Sequence, residues 1–162
     1  MEHITHGALH LAIQITGSRD VAMDILQDAV IKALEVKNAP KPSEQGYKAW
    51  FYRVVHNQSI DWLRREKRLV NDDCLQEVAA DDPGPEARLE SEHRKILLHK
   101  ALSHLSSEHR EIICLKDFHY FSYAEIAEIK CIEKGTVMSR LHRARLALKD
   151  QLFELKLIPG DA

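Results

Sequence analysis

Hydrophobic residues recur along this chain at intervals of three and four, the spacing of an α-helix that buries one face. The pattern predicts helices over residues 3–16, 20–36, 47–67 and 92–105, with further helices after residue 106. Gly17 suits the left-handed position that ends the first helix, and Pro40 and Pro42 interrupt the pattern before the third. We therefore expect an all-α protein.

The residues from Ser122 onward predict two helices joined by a tight turn. Ser122 stands three residues before Glu125, which is the spacing of a capping box. A second helix begins near Lys134, and its apolar residues lie on one stripe. These are Val137, Leu141, Ala144 and Leu148. The pair is a helix-turn-helix, whose second helix would enter a DNA major groove.

The second of these helices is basic. No acidic residue lies between Thr136 and Lys149. Arginine and serine at the start of a recognition helix can reach phosphates and base edges. The candidate contacts to duplex DNA are Thr136, Ser139, Arg140, Arg143 and Arg145. The alternative is an amphipathic hairpin whose basic face is merely solvated.

Aromatic residues cluster on the predicted helix 47–67, which ends in arginines and lysines. Rings stack on unpaired bases, an amide reads a base edge and cations follow the backbone, so this mixture is typical of a single-strand site. The residues behind this interpretation are Tyr47, Trp50, Phe51, Trp62, Arg53, Asn57, Arg64 and Arg65. For Trp50 and Phe51 the alternative is a place in the core.

Charge is unevenly distributed along the 162 residues. The net charge is −2, but residues 71–92 alone carry −7, so the remainder carries +5. Acidic residues together with Pro83-Gly84-Pro85 predict a flexible linker over residues 69–92. No apolar run approaches the length of a membrane span, and the three cysteines show no paired spacing. We expect a cytoplasmic protein that does not insert into a membrane.

In two places the chain resembles the extracytoplasmic-function sigma factors of bacterial RNA polymerase. LSSEHREII at 105–113, SYAEIAEI at 122–129 and GTVMSRLHRAR at 135–145 resemble region four of that family. AMDILQD at 22–28, WFYRVVHN at 50–57 and DWLRR at 61–65 resemble region two. The resemblance implies two small helical domains, region two at residues 1–68 and region four at 93–162, joined by the acidic linker.

The resemblance also implies a role for each region. Region two would bind core RNA polymerase through Asp24, Gln27, Asp28 and Lys32. It would melt and hold the minus-ten element through Tyr47, Trp50, Phe51, Arg53, Asn57, Asp61, Arg64 and Arg65. Region four would bind the minus-thirty-five element through the five residues named above. The implied partners are core polymerase, promoter DNA and an anti-sigma factor, which can hold the protein at the membrane. The sequence shows no nucleophile–base arrangement, phosphate-binding glycine loop or catalytic carboxylate pair, so we expect neither enzyme activity nor a cofactor.

Two other functions remain open at this point. One is a stand-alone helix-turn-helix regulator with an N-terminal sensing or dimerisation domain, and the other is a helical adaptor without DNA. The sequence also departs from the family pattern. Cys131 replaces the usual turn glycine, which predicts a strained backbone, and Met138 replaces a frequent lysine.

Histidines and cysteines offer two further hypotheses. His3, His6 and His10 lie on one helical face, so a metal site is an alternative to a solvated histidine face. Cys74 lies in the predicted linker, where an exposed thiol could act as a redox sensor. Cys114 lies between apolar residues, so we expect it in the core.

Overall fold

The computed structural model describes residues 2–69 and 89–156, and every regular element in these two ranges is helical. The helices are α1 Glu2–Thr16, α2 Arg19–Glu35, α3 Tyr47–Leu69, α4 Leu89–Ser103, α5 Ser107–Ile113, α6 Tyr123–Lys130 and α7 Lys134–Glu154. A π-helical turn, Cys114–Phe118, continues α5. The all-α prediction is confirmed. None of the helices described is long and apolar enough to cross a membrane.

Helices α1 to α3 form the N-terminal domain. Gly17 ends α1 with a φ of 70°, and the Ser18 hydroxyl then caps α2 by accepting a hydrogen bond from the Val21 amide. The three helices bury one another's apolar faces. The buried residues include Ala8, Leu11, Ala12, Ala22, Ile25, Ala29, Phe51 and Val55. The predicted linker residues 70–88 lie outside the described ranges, but α4 begins at Leu89, so the last predicted linker residues are helical.

Helices α4 to α7 form the C-terminal domain, and the predicted helix-turn-helix is present. The Ser122 hydroxyl accepts from the Glu125 amide at 3.2 Å, and the Glu125 carboxylate accepts from the Ser122 amide at 2.8 Å. This is the predicted capping box. Three residues of the predicted apolar stripe of α7, Val137, Leu141 and Ala144, are at most 2% exposed, and the fourth, Leu148, is half-buried.

The two domains pack directly against each other, which the sequence did not predict. Helix α3 contacts α6, and α1 contacts α5. We use the name domain interface for Lys48, Tyr52 and His56 of α3 together with Glu111, His119 and Phe121 of the C-terminal domain. Burial, then the charges of Lys48 and His10, lower the pKa of His119 to about 4. Its ring is therefore neutral at pH 7, where it meets the buried Tyr52.

Cys131 sits in the turn of the helix-turn-helix with φ 53° and ψ 47°, the left-handed conformation. This confirms the strain predicted from the missing glycine. The left-handed conformation destabilises a residue that has a β-carbon by about 1–2 kcal/mol. Glycine has no such steric penalty, but it loses more conformational entropy on folding. The turn is therefore built at some cost in stability.

We predict that Cys131→Gly raises the free energy of unfolding by about 0.5–1 kcal/mol, because it removes the left-handed penalty at a small entropic cost. Chemical denaturation followed by circular dichroism measures the change. Cys131→Ala is the matched control, since it removes the thiol but keeps the β-carbon. An equal gain in both variants would contradict the explanation.

Candidate nucleic-acid interface

The first half of α7 presents a polar face to solvent. Ser139 and Arg143 are exposed, while Thr136 and Arg140 are half-buried. The Ser139 hydroxyl donates to the Thr136 carbonyl at 3.1 Å. The Arg143 Nε donates to the Ser139 carbonyl at 3.4 Å, a long bond that orients its side chain along the helix. Four of the five residues predicted to contact duplex DNA thus lie together at the start of this helix.

Two arginines of α7 are held by carboxylates from the preceding elements. Arg140 Nη1 lies 3.3 Å from Glu108 Oε1. Arg145 pairs with Asp117 through two nitrogens, at 2.6 and 3.3 Å. That hydrogen bonding raises the pKa of Arg145. Sequence reasoning missed both acidic partners, because they lie 28 and 32 positions earlier and no periodicity links them to α7.

The outer face of α3 carries the polar residues predicted for single-stranded DNA. Asn57, Asp61, Arg64 and Arg65 are exposed, and Arg53 is half-buried. Asp61 and Arg64 lie 4.0 Å apart across one helical turn. Such an exposed pair contributes little to stability, so both groups are available to a ligand.

The aromatic residues of α3 divide between core and surface. Phe51 is 0% exposed and stacks on the buried Tyr47 with ring centroids 5.8 Å apart. Trp50 is half-buried, with its ring 6.1 Å from that of Tyr47. In this conformation Phe51 belongs to the core, the alternative that the sequence left open. Of the three residues Tyr47, Trp50 and Phe51, Trp50 is the most exposed.

The residues predicted to bind polymerase share the outer face of α2. Asp24, Gln27, Asp28 and Lys32 are all exposed. Two apolar side chains lie near them in the open, Ile31 at 51% and Leu34 at 82% exposure. Sequence reasoning did not single these two out. Apolar side chains among charges are typical of a protein-binding surface.

The histidine and cysteine hypotheses have separate outcomes. His6 and His10 place their Nε2 atoms 3.1 Å apart. Within residues 2–69 and 89–156 there is no group of three or more potential ligands that would hold a metal ion. Cys114 is buried, as expected, and burial raises its pKa to about 12, which makes the thiol unreactive. Cys74 lies outside the described residues.

Both halves of the chain match families of known proteins. Residues 4–69 match the family described as Sigma-70 region 2, and residues 95–148 match Sigma-70, region 4. The ECF RNA polymerase sigma factor SigW of Bacillus subtilis is 30% identical over 155 residues, which cover 90% of this chain and 82% of that protein. SigE of Mycolicibacterium smegmatis, also named an ECF sigma factor, is 30% identical over 145 residues. This alignment covers 88% of the chain but only 56% of SigE.

A solved structure agrees with these sequence matches. The sigma factor RpoE from Bartonella quintana, determined in complex with the anti-sigma factor NepR, superposes with a TM-score of 0.68 at 26% identity. The match covers 92% of this chain and 91% of that one. The chain belongs to the extracytoplasmic-function family of RNA polymerase sigma factors. It is a promoter-specificity subunit, and the alternative of a stand-alone regulator is not supported.

We predict that Asp117→Asn strengthens binding of the purified chain to a duplex with a minus-thirty-five element. The substitution releases the Arg145 guanidinium to a phosphate, so the slope of log Kobs against log[salt] should steepen by about 0.9. The free energy of unfolding should fall by less than about 1 kcal/mol, because the pair is partly exposed.

Titration of fluorescent duplex at several salt concentrations measures this slope. Asp150→Asn is the matched control, since it also removes one exposed negative charge, from near the end of α7, the helix that carries Arg145. If the two variants give the same slope, the effect is one of net charge and Arg145 is not the residue released.

Proposed function

We propose that this chain docks on core RNA polymerase through α2, holds the opened minus-ten strand on α3 and binds the minus-thirty-five duplex with α7. In this role it starts transcription of a stress or signal regulon. The proposal rests on one observation above all: these three faces are exposed at the same time on three different helices. Three partners can therefore be bound without competing for one surface.

The α7 face suits a duplex because its cations and hydroxyls sit where a recognition helix meets base edges. Arg143 is exposed and has no acid within one turn of it on α7. A bidentate arginine–guanine contact discriminates by about 1–3 kcal/mol. Arg140 and Arg145 are already paired with carboxylates, so their contacts to phosphate require exchange of partners. Arg143 is therefore the residue we expect to contribute most to minus-thirty-five recognition.

The α3 face suits an opened strand. Flipping a base costs a few kcal/mol, which stacking on a ring and a cationic rim can offset. Asn57 supplies an exposed amide for a base edge, and Arg64 and Arg65 lie two turns further along the helix. Trp50 supplies a half-buried ring about two turns before Asn57. In this conformation Tyr47 and Phe51 are buried beneath this surface, and their rings stack on each other.

We further propose an anti-sigma factor as an inhibitory partner, since the related sigma factor RpoE was solved with one. The same role places the chain in the bacterial cytoplasm, where polymerase works, with the membrane reached only through that partner. Run-off transcription with purified core polymerase tests the function itself. Transcript should appear only when the chain is added.

We predict that Arg143→Ala lowers run-off transcription by about tenfold at a promoter that depends on its minus-thirty-five element, because one base contact is lost. Arg94→Ala is the matched control, an exposed arginine of α4 in the same domain. The proposal for α7 fails if both variants reduce the transcript equally.

We predict that Asn57→Ala impairs strand opening and leaves duplex binding intact. Permanganate reactivity of unpaired thymines at the minus-ten element should fall several-fold, whereas protection of the minus-thirty-five element should persist. The comparison variant is Asn38→Ala, an exposed amide between α2 and α3. Normal thymine reactivity in Asn57→Ala would place the flipped base elsewhere.

A further inference from the structure

Two histidines of α1 face each other across one helical turn. His6 and His10 are both exposed, and their Nε2 atoms lie 3.1 Å apart. Their rings meet edge to face, with centroids 4.6 Å apart and an angle of 80° between the ring planes. Residues four positions apart on a helix share one face, so the backbone of α1 itself holds the two imidazoles together.

The protonation state of His10 suits it to bind a metal ion. Partial burial of its ring, then the charges of His6, Arg19 and His99, lower the pKa of His10. The His10 ring is therefore mainly neutral at pH 7 and has one nitrogen lone pair free to accept. Neutral imidazole is the form of histidine that binds transition metals.

The distances between the two rings fit a shared metal ion. Imidazole nitrogens bind Zn²⁺ at about 2.0–2.1 Å, so two of them at about 90–109° around one ion lie about 2.8–3.4 Å apart. The ring centroids would then lie about 4.5–5.2 Å apart, whereas a straight N–H···N hydrogen bond would place them about 5.4 Å apart. The observed separations of 3.1 Å between the nitrogens and 4.6 Å between the centroids agree with the shared ion.

The surroundings of the pair favour a cation and would benefit from a cross-link. Glu2 lies one turn before His6 on the same face of α1, so it adds negative charge near the pair. Gly7 lies between the two histidines, and glycine is unfavourable inside a helix. Because α1 packs against α2 and α3, an ion that joins its adjacent turns would stabilise the N-terminal domain as a whole.

We propose that His6 and His10 form a binding site for one transition-metal ion, Zn²⁺ or Ni²⁺, with water at its other positions. The inference does not depend on the proposed function. Imidazole suits these two ions, whereas Mg²⁺ prefers oxygen ligands. No third ligand is in place within residues 2–69 and 89–156. The site therefore has about half the binding energy of a four-ligand zinc site, which corresponds to a Kd of about 1–100 μM.

Isothermal titration calorimetry of the full chain, prepared without an affinity tag, tests the site. We expect one Zn²⁺ per chain with a Kd of about 1–100 μM and no saturable heat with Mg²⁺. His6→Gln and His10→Gln should each weaken Zn²⁺ binding by about tenfold or more, because a single histidine has no chelate partner. His93→Gln, which replaces an exposed histidine of α4, is the matched control and should bind Zn²⁺ as wild type does.

Thermal unfolding supplies a second measurement. Zn²⁺ at about ten times its Kd should raise the Tm of wild type and of His93→Gln by about 3–6 °C, and should leave the Tm of His6→Gln and His10→Gln unchanged. Circular dichroism confirms that each variant keeps its helices. Equal Zn²⁺ affinity in wild type and both α1 variants would overturn the proposal, since other groups such as thiols then hold the ion. Absence of saturable Zn²⁺ and Ni²⁺ binding below about 1 mM would also overturn it.

Discussion

The carboxylate of Glu111 is the interaction on which the arrangement of this molecule depends. A buried carboxylate must be paired, and here it is paired twice, by Lys130 from α6 and by His56 from α3. The first pair ties α5 to the helix-turn-helix, and the second ties that domain to α3. One acidic residue therefore sets both the internal geometry of the C-terminal domain and its contact with the N-terminal domain.

Local features of the fold could be predicted because they depend on near neighbours in sequence. Ser122 and Glu125 cap a helix through contacts three residues apart, and the stripe of α7 follows from helical periodicity alone. The strain at Cys131 was also predictable, because the turn requires a conformation that favours glycine. In each case the physics is contained in one short segment.

Contacts between distant segments could not be predicted in the same way. His56 lies 55 positions from Glu111, and Tyr52 lies 67 positions from His119. The hydrophobic pattern of α3 does not show that one face of this helix packs inside the N-terminal domain while another packs against the C-terminal domain. The site residues on outer faces were identified by residue type and by the resemblance to the sigma factor family. Whether they bind as predicted depends on partners that the sequence of this chain does not contain.

The arginines of the recognition helix show how stability and binding share the same groups. Arg140 and Arg145 are neutralised by Glu108 and Asp117, so the isolated chain presents less positive charge than its α7 sequence indicates. Nonspecific electrostatic binding of DNA to this helix is therefore weaker. The carboxylates thereby favour recognition that depends on base edges over adhesion to any phosphate backbone.

The π-helical turn after α5 has a consequence for the evolution of this chain. Its defining bond runs from the His119 amide to the Cys114 carbonyl at 2.9 Å, one residue longer than an α-helical bond. The extra residue turns everything after it by about 100° relative to a regular helix. An α-helix with one residue fewer in this segment would therefore present His119 to Tyr52 in the same direction, so the π turn absorbs one extra residue. Loss of one codon at this turn would thus preserve how the two halves of the chain meet, whereas loss of one codon from the regular part of α5 would rotate His119 by about 100° away from Tyr52.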